Sequence, residues 1–250
     1  MPTAQERLTA GNAALQRADW STAKVEFEQT LANTDAPEAH DGLGLALWWL
    51  NDIDAAHRQR ALAYSGYKDR GNWGAAARTA CWLGREQVFL HGNFAAMQGW
   101  FARAARLIEL VPPGIDQAWF HMLRASMIAP PAEMVQIAEQ TIAAARNWQH
   151  SGLEAFALAF CGQAQIALGW VERGMQQLDE AMTMATSGEV SDFNIISEVF
   201  CALLSACETA GDLMRSEQWC RAAADFAERH QCSFLSAYCR TAYGSLMTAL

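Results

Sequence analysis

The stretch Gly162-Gln163-Ala164-Gln165-Ile166-Ala167-Leu168-Gly169-Trp170-Val171-Glu172-Arg173-Gly174-Met175-Gln176-Gln177-Leu178-Asp179-Glu180-Ala181 decides the fold. Gly169-Trp170 interrupts an otherwise helix-forming run, so the segment reads as two helices joined by a turn. A small residue, Gly162, is followed twelve positions later by another, Gly174. Four residues on comes a bulky side chain, Leu178, and three further on a small one, Ala181. Two paired helices approach closely only where both carry small side chains, and a bulky residue then fills the seam to the next pair.

The same spacing recurs outward in both directions. Gly11, Ala23, Phe27 and Thr30 follow it, with Thr30 the one lapse. Gly44, Ala56 and Ala63 follow it, with Arg60 where a bulky apolar residue belongs. Leu204, Ser216, Cys220 and Ala223 follow it loosely, and the hairpin at 114–150 barely shows it. Repeated helix pairs bury a core only by stacking on their neighbours. Composition agrees: Ala supplies about a fifth of the 250 residues, while Val and Ile together number only 16, so helix is favoured over strand. Breaks at Asp19-Trp20, Asn51-Asp52, Gly92-Asn93, Pro112-Pro113-Gly114, Pro130-Pro131, Gly188 and Gly211-Asp212 place helix pairs at 3–33, 36–70, 72–111, 114–150, 152–188 and 191–230. A last helix at 233–250 is left without a partner. Thr3-x-x-Glu6 reads as a capping box opening the first helix. The expected fold is all-α: a single domain, 1–250, forming a tetratricopeptide-like right-handed superhelical solenoid of about six hairpins plus one unpaired C-terminal helix.

The charge balance narrows the function. Lys and Arg number 18 against 27 Asp and Glu, a net charge of −9. Nucleic-acid affinity comes largely from cations displacing counterions, so nucleic-acid binding through this segment is not expected. The only lysines, Lys24 and Lys68, lie outside any Gly-rich loop, which excludes a P-loop. Gly42-x-Gly44 has a superficial likeness to a dinucleotide fingerprint, but Leu47 stands at the third glycine, so close helix packing is the favoured reading. No two of the six histidines are four residues apart, as a helical metal pair requires, and no GxSxG elbow is present. No cofactor and no catalysis are therefore expected. The seven cysteines include no CxxC pair and sit mostly in apolar stretches, as buried reduced thiols of a cytoplasmic protein would. The first residues lack a secretory signal, and the longest apolar stretch, near Leu45–Leu50, is too short for a membrane span.

Several phrases resemble the tetratricopeptide half of LuxR-type helix-turn-helix transcription regulators of actinobacteria. They are Ala36-Pro37-Glu38-Ala39-His40-Asp41-Gly42-Leu43-Gly44, Ala46-Leu47-Trp48-Trp49-Leu50, Gly99-Trp100-Phe101-Ala102-Arg103-Ala104, Leu178-Asp179-Glu180-Ala181-Met182, Leu204-Ser205-Ala206-Cys207-Glu208, Gln218-Trp219-Cys220-Arg221 and Cys239-Arg240-Thr241-x-Tyr243. In that family the DNA-binding motif lies near the C-terminus, beyond the last phrase, and these residues contain none. Ala242 stands where the family pattern has His. The resemblance implies a sensing or interaction domain.

The ten tryptophans supply the candidate site. Counting from the anchor residues, Trp49, Trp82, Glu86, Trp119, Glu208 and Arg240 face the concave side of a hairpin stack. Aromatic rings with a few charges suit a peptide, a helix or an apolar small molecule. The expected partner is thus a protein or peptide, or an apolar effector, with self-association through the C-terminal helix as a further expectation. The alternatives are a stand-alone protein-interaction adaptor and, less favoured, an enzyme built on a solenoid.

Overall fold

The computed structural model describes residues 2–230 and Gly244. The described residues form twelve α-helices and no strand. They are α1 (Ala4–Gln16), α2 (Trp20–Leu31), α3 (Pro37–Trp49), α4 (Ile53–Asp69), α5 (Trp73–His91), α6 (Phe94–Ile108), α7 (Ile115–Ile128), α8 (Pro131–Asn147), α9 (Ser151–Ala167), α10 (Val171–Ser187), α11 (Phe193–Ala210) and α12 (Leu213–Arg229). The helix breaks between 3 and 230 fall at the expected turns, and the hairpins expected at 3–33, 36–70, 72–111, 152–188 and 191–230 each pack as a pair. The helix expected at 233–250 lies, apart from Gly244, outside the described residues, as do Cys232, Cys239 and Arg240.

Side-chain caps explain most of the starts. The N-terminal box forms as spaced: Glu6 N–H donates to Thr3 Oγ1 (3.2 Å) and Thr3 N–H to Glu6 Oε2 (2.7 Å). Asp19, Asp52, Asn72, Asn93, Asp192 and Asp212 each accept a backbone N–H of the helix they precede. That satisfies a donor which the first helical turn leaves without a carbonyl partner. Pro131 opens α8, where its missing N–H costs nothing. Gly92 and Gly211 close α5 and α11 in the left-handed region, at φ of 61° and 67°.

Packing divides the chain into two compact units, residues 1–127 and 128–250. In the first unit α1 to α6 pack on one another in chain order. Phe27 of α2, fully buried, is the central knob. A methyl group added at Gly11 of α1 would lie 2.7 Å from its ring, and one at Gly42 of α3 would lie 2.3 Å from it. Both positions are therefore seats for one aromatic ring. Gly44 approaches the backbone at Ala56 and Arg60 of α4. Gly42-x-Gly44 is thus a packing motif. The twelve-residue spacing also links Gly84 of α5 to Ala96 of α6, followed by Trp100, with the Trp100 Cβ pressed on Gly84. Helix α7 meets α5 through Arg78–Asp116 (3.5 Å) and through Arg85, which donates to Ser126 Oγ (2.7 Å).

In the second unit α9 is surrounded by α8, α10 and α11. This accounts for its sequence, which is apolar almost all round: Leu153, Phe156, Leu158, Phe160 and Cys161 are all buried. Gly162 and Gly174 set the α9–α10 approach, since a Cβ on either would stand 2.5 Å from the other's carbonyl oxygen. Helix α11 is the one described helix long and apolar enough to cross a membrane, and 61% of its residues are buried inside the fold.

Candidate functional site

Helix α5 carries the chemically richest face of the first unit. Trp82, Arg85, Glu86 and Phe89 stand at three- and four-residue intervals, so they share one side of the helix. The Arg85 guanidinium lies 5.5 Å from the Trp82 ring centroid and 5.4 Å from that of Phe89. It is held between two aromatic faces, one turn to either side, where the ring quadrupoles favour a cation. Arg85 is only 1% exposed, Trp82 is half-buried, and Phe89 is 61% exposed.

Glu86 turns toward α4. Its Oε2 lies 2.8 Å from His57 Nδ1, and its Oε1 accepts from Arg60 NH1. An ionised carboxylate only accepts hydrogen bonds, so Nδ1 is the protonated nitrogen of His57. Nε2 then faces the Gln87 side-chain amide, at 3.5 Å. Glu86 and Arg60 are almost fully buried, while the His57 side chain is one-third exposed. The arrangement fastens α4 to α5 with a satisfied carboxylate and leaves an oriented imidazole at its open edge. Arg60 is the residue that breaks the repeat pattern in the sequence, and the buried Glu86 carboxylate is its reason. His57 was not singled out by sequence reasoning; its partner lies 29 residues away, beyond the reach of any local pattern.

The other expected site residues take varied positions. Trp49, at the end of α3, is 8% exposed and stacks on Trp20 at the start of α2, with ring centroids 5.4 Å apart and planes 18° from parallel. Trp119 of α7 is 5% exposed. Glu208 is exposed on α11, in the second unit. Arg240 lies outside the described residues. The structure therefore joins Trp82 and Glu86 on one helix face, with Arg85 between them.

The second unit has a polar junction that the sequence did not announce. Trp219 Nε1–H of α12 donates to Asp179 Oδ1 of α10 (2.9 Å), and Arg215 Nε stands 3.3 Å from Asp179 Oδ2. An open depression over Arg215, Gln218 and Trp219 marks the spot. The buried thiols behave as core. Loss of hydration pushes Cys81 and Cys207 up to about 12 and Cys161 up to about 11. Such thiols stay protonated at neutral pH and make poor nucleophiles. No group of three or more His, Cys, Asp or Glu side chains among the described residues is placed to hold a metal ion. No family model matches the chain, and no curated protein matches it in sequence.

Proposed function

We propose that this chain is the ligand- or partner-binding part of a LuxR-type transcription regulator, a cytoplasmic tetratricopeptide-like module that does not itself hold DNA. The observation that carries the reading is the α5 face, where half-buried Trp82, exposed Phe89 and sandwiched Arg85 sit beside the Glu86–His57 pair. Apolar rings offer contact area to a peptide helix or an apolar effector, and the few polar groups beside them fix its orientation. The family resemblance supplies the regulatory half of the proposal. Such a module acts by favouring one arrangement of its helices over another, and a ligand does this only in proportion to its differential affinity for the two.

The test is a thermal-unfolding survey of amphipathic peptides and apolar small molecules, followed by Trp82→Ala on each hit. A ligand held at about 100 times its Kd stabilises by about 2.7 kcal/mol. That gain is expected to collapse in the variant; a gain that survives Trp82→Ala moves the site off α5. Sequence-specific retardation of duplex DNA by this chain would overturn the assignment of DNA binding elsewhere.

A further inference from the structure

The net charge of −9 conceals a segregation. Residues 57–124 hold nine of the 18 Lys and Arg but only four of the 27 acids, Asp69, Glu86, Glu109 and Asp116. Glu86 is buried against Arg60, and Asp116 is matched by Arg78. Helix α6 has no acidic residue at all. Residues 1–56 are the reverse, with nine acids against Arg7, Arg17 and Lys24.

The surplus cations gather on two adjoining helices. Tyr64 of α4 and Trp100 of α6 meet edge to face, with centroids 5.2 Å apart. With α5 antiparallel to each, α4 and α6 run in the same direction past that contact. Lys68 stands one turn beyond Tyr64, Arg103 one turn beyond Trp100, and Arg106 one turn further. All three are exposed, as is Arg58 at the other end of α4. The Arg103 guanidinium rests 5.4 Å from the Trp100 ring centroid, which holds its head at the surface. Among the described residues, none of these four cations has an ion-pair partner. Asp54, one turn before Arg58, and Asp69 and Glu109, at the far ends of the two helices, are the nearby exposed acids.

We infer that the exposed sides of α4 and α6 form a docking surface for a short acidic segment of a partner protein. Unpaired arginines suit carboxylates because their planar fork offers two parallel donors. A long polyanion is the poorer fit. Screening confines electrostatic attraction to about 8 Å at physiological salt, so a short peptide senses only the local cations. A duplex tens of ångströms long meets the acidic surface of α1–α3 as well. The 128–250 unit of a second copy is also a poorer fit, because there Arg146, Arg173, Arg215 and Arg221 already engage Glu154, Glu180, Glu139, Asp179, Asp212 and Glu217. The acids on a second copy's α1–α3 are the rival occupant that the sedimentation arm of the test separates. This surface is separate from the Trp82 face, and its failure would leave that reading untouched.

The test is fluorescence anisotropy of a labelled peptide of about ten glutamates, titrated with the whole chain in about 50 mM and about 500 mM salt. Saturable binding is expected at low salt, at least about tenfold weaker at high salt and at least about tenfold weaker in Arg103→Glu/Arg106→Glu. Arg103→Ala/Arg106→Ala is expected to fall between wild type and the reversal, and Arg173→Glu, in the other unit, to bind as wild type does. Circular dichroism checks that each variant is folded. No binding by the wild type, or equal binding by Arg103→Glu/Arg106→Glu, overturns the proposal. So does tighter binding of a 20-base-pair duplex than of the peptide, at about the same salt. A dimer in sedimentation that the Arg103→Glu/Arg106→Glu reversal abolishes overturns it as well, in favour of a second copy.

Discussion

Arg60 shows how a single residue can report a contact that its own neighbourhood does not explain. It occupies a position where the repeat calls for a bulky apolar side chain, and it is 4% exposed. A guanidinium is held there because Glu86 accepts from it. Taking two charges out of water is expensive, and their attraction repays this only with good geometry and satisfied partners. The asymmetry is testable. Glu86→Leu alone strands a buried cation, and about 3–5 kcal/mol of stability is expected to be lost in urea unfolding. Arg60→Leu/Glu86→Leu removes both charges and fills the seam with apolar volume, so it is expected to be the more stable of the two variants. A double variant less stable than Glu86→Leu would mean that Arg60 stabilises the fold without Glu86, so that no stranded charge is the cause of the loss. Sequence reasoning saw both residues separately, Arg60 as a lapse and Glu86 as a groove residue. It had no means of pairing them, because the pairing depends on how α4 and α5 turn about their axes.

At the scale of the element, most of the helices were legible because their ends are written in local chemistry. Asp, Asn and Thr caps and the Gly and Pro breaks act within four residues, and the hairpins at 3–33 and 36–70 hold within a residue or two at their outer ends. The packing register was legible where glycine marks it, as at Gly162 and Gly174. It was missed where the mark is weaker. Gly84, Ala96 and Trp100 follow the same spacing, but Arg103 stands in the last small position. The depth of the α9–α10 approach leads to a prediction about that hairpin. Gly162→Ala gains roughly 1 kcal/mol of helix propensity. It also drives a methyl against the Gly174 carbonyl oxygen at 2.5 Å, backbone that cannot step aside without separating the helices. A net loss of about 1–3 kcal/mol is expected from overpacking. A higher Tm for Gly162→Ala would show that the two helices part easily.

For the molecule as a whole, the consequence of building from hairpins is locality. Helices α1 to α6 pack in chain order, and so do α8 to α12, so an injury in one hairpin reaches others only through its neighbours. Phe27 offers a sharp probe, because one ring occupies seats on both α1 and α3. Gly42→Ala places a methyl 2.3 Å from that ring and displaces it from the seam between the first two hairpins. In hydrogen exchange read by mass spectrometry, peptides from α1 to α3 are expected to lose protection, with rates rising about five- to thirtyfold for a local loss of about 1–2 kcal/mol. Peptides from α9 to α11 are expected to exchange as in the wild type, since the helices they pack on are intact. A uniform rise across both units would mean that the chain opens in one cooperative step. The stack would then behave as a single globule despite its repeated sequence, and a ligand on the α5 face would stabilise every helix equally instead of those nearest to it.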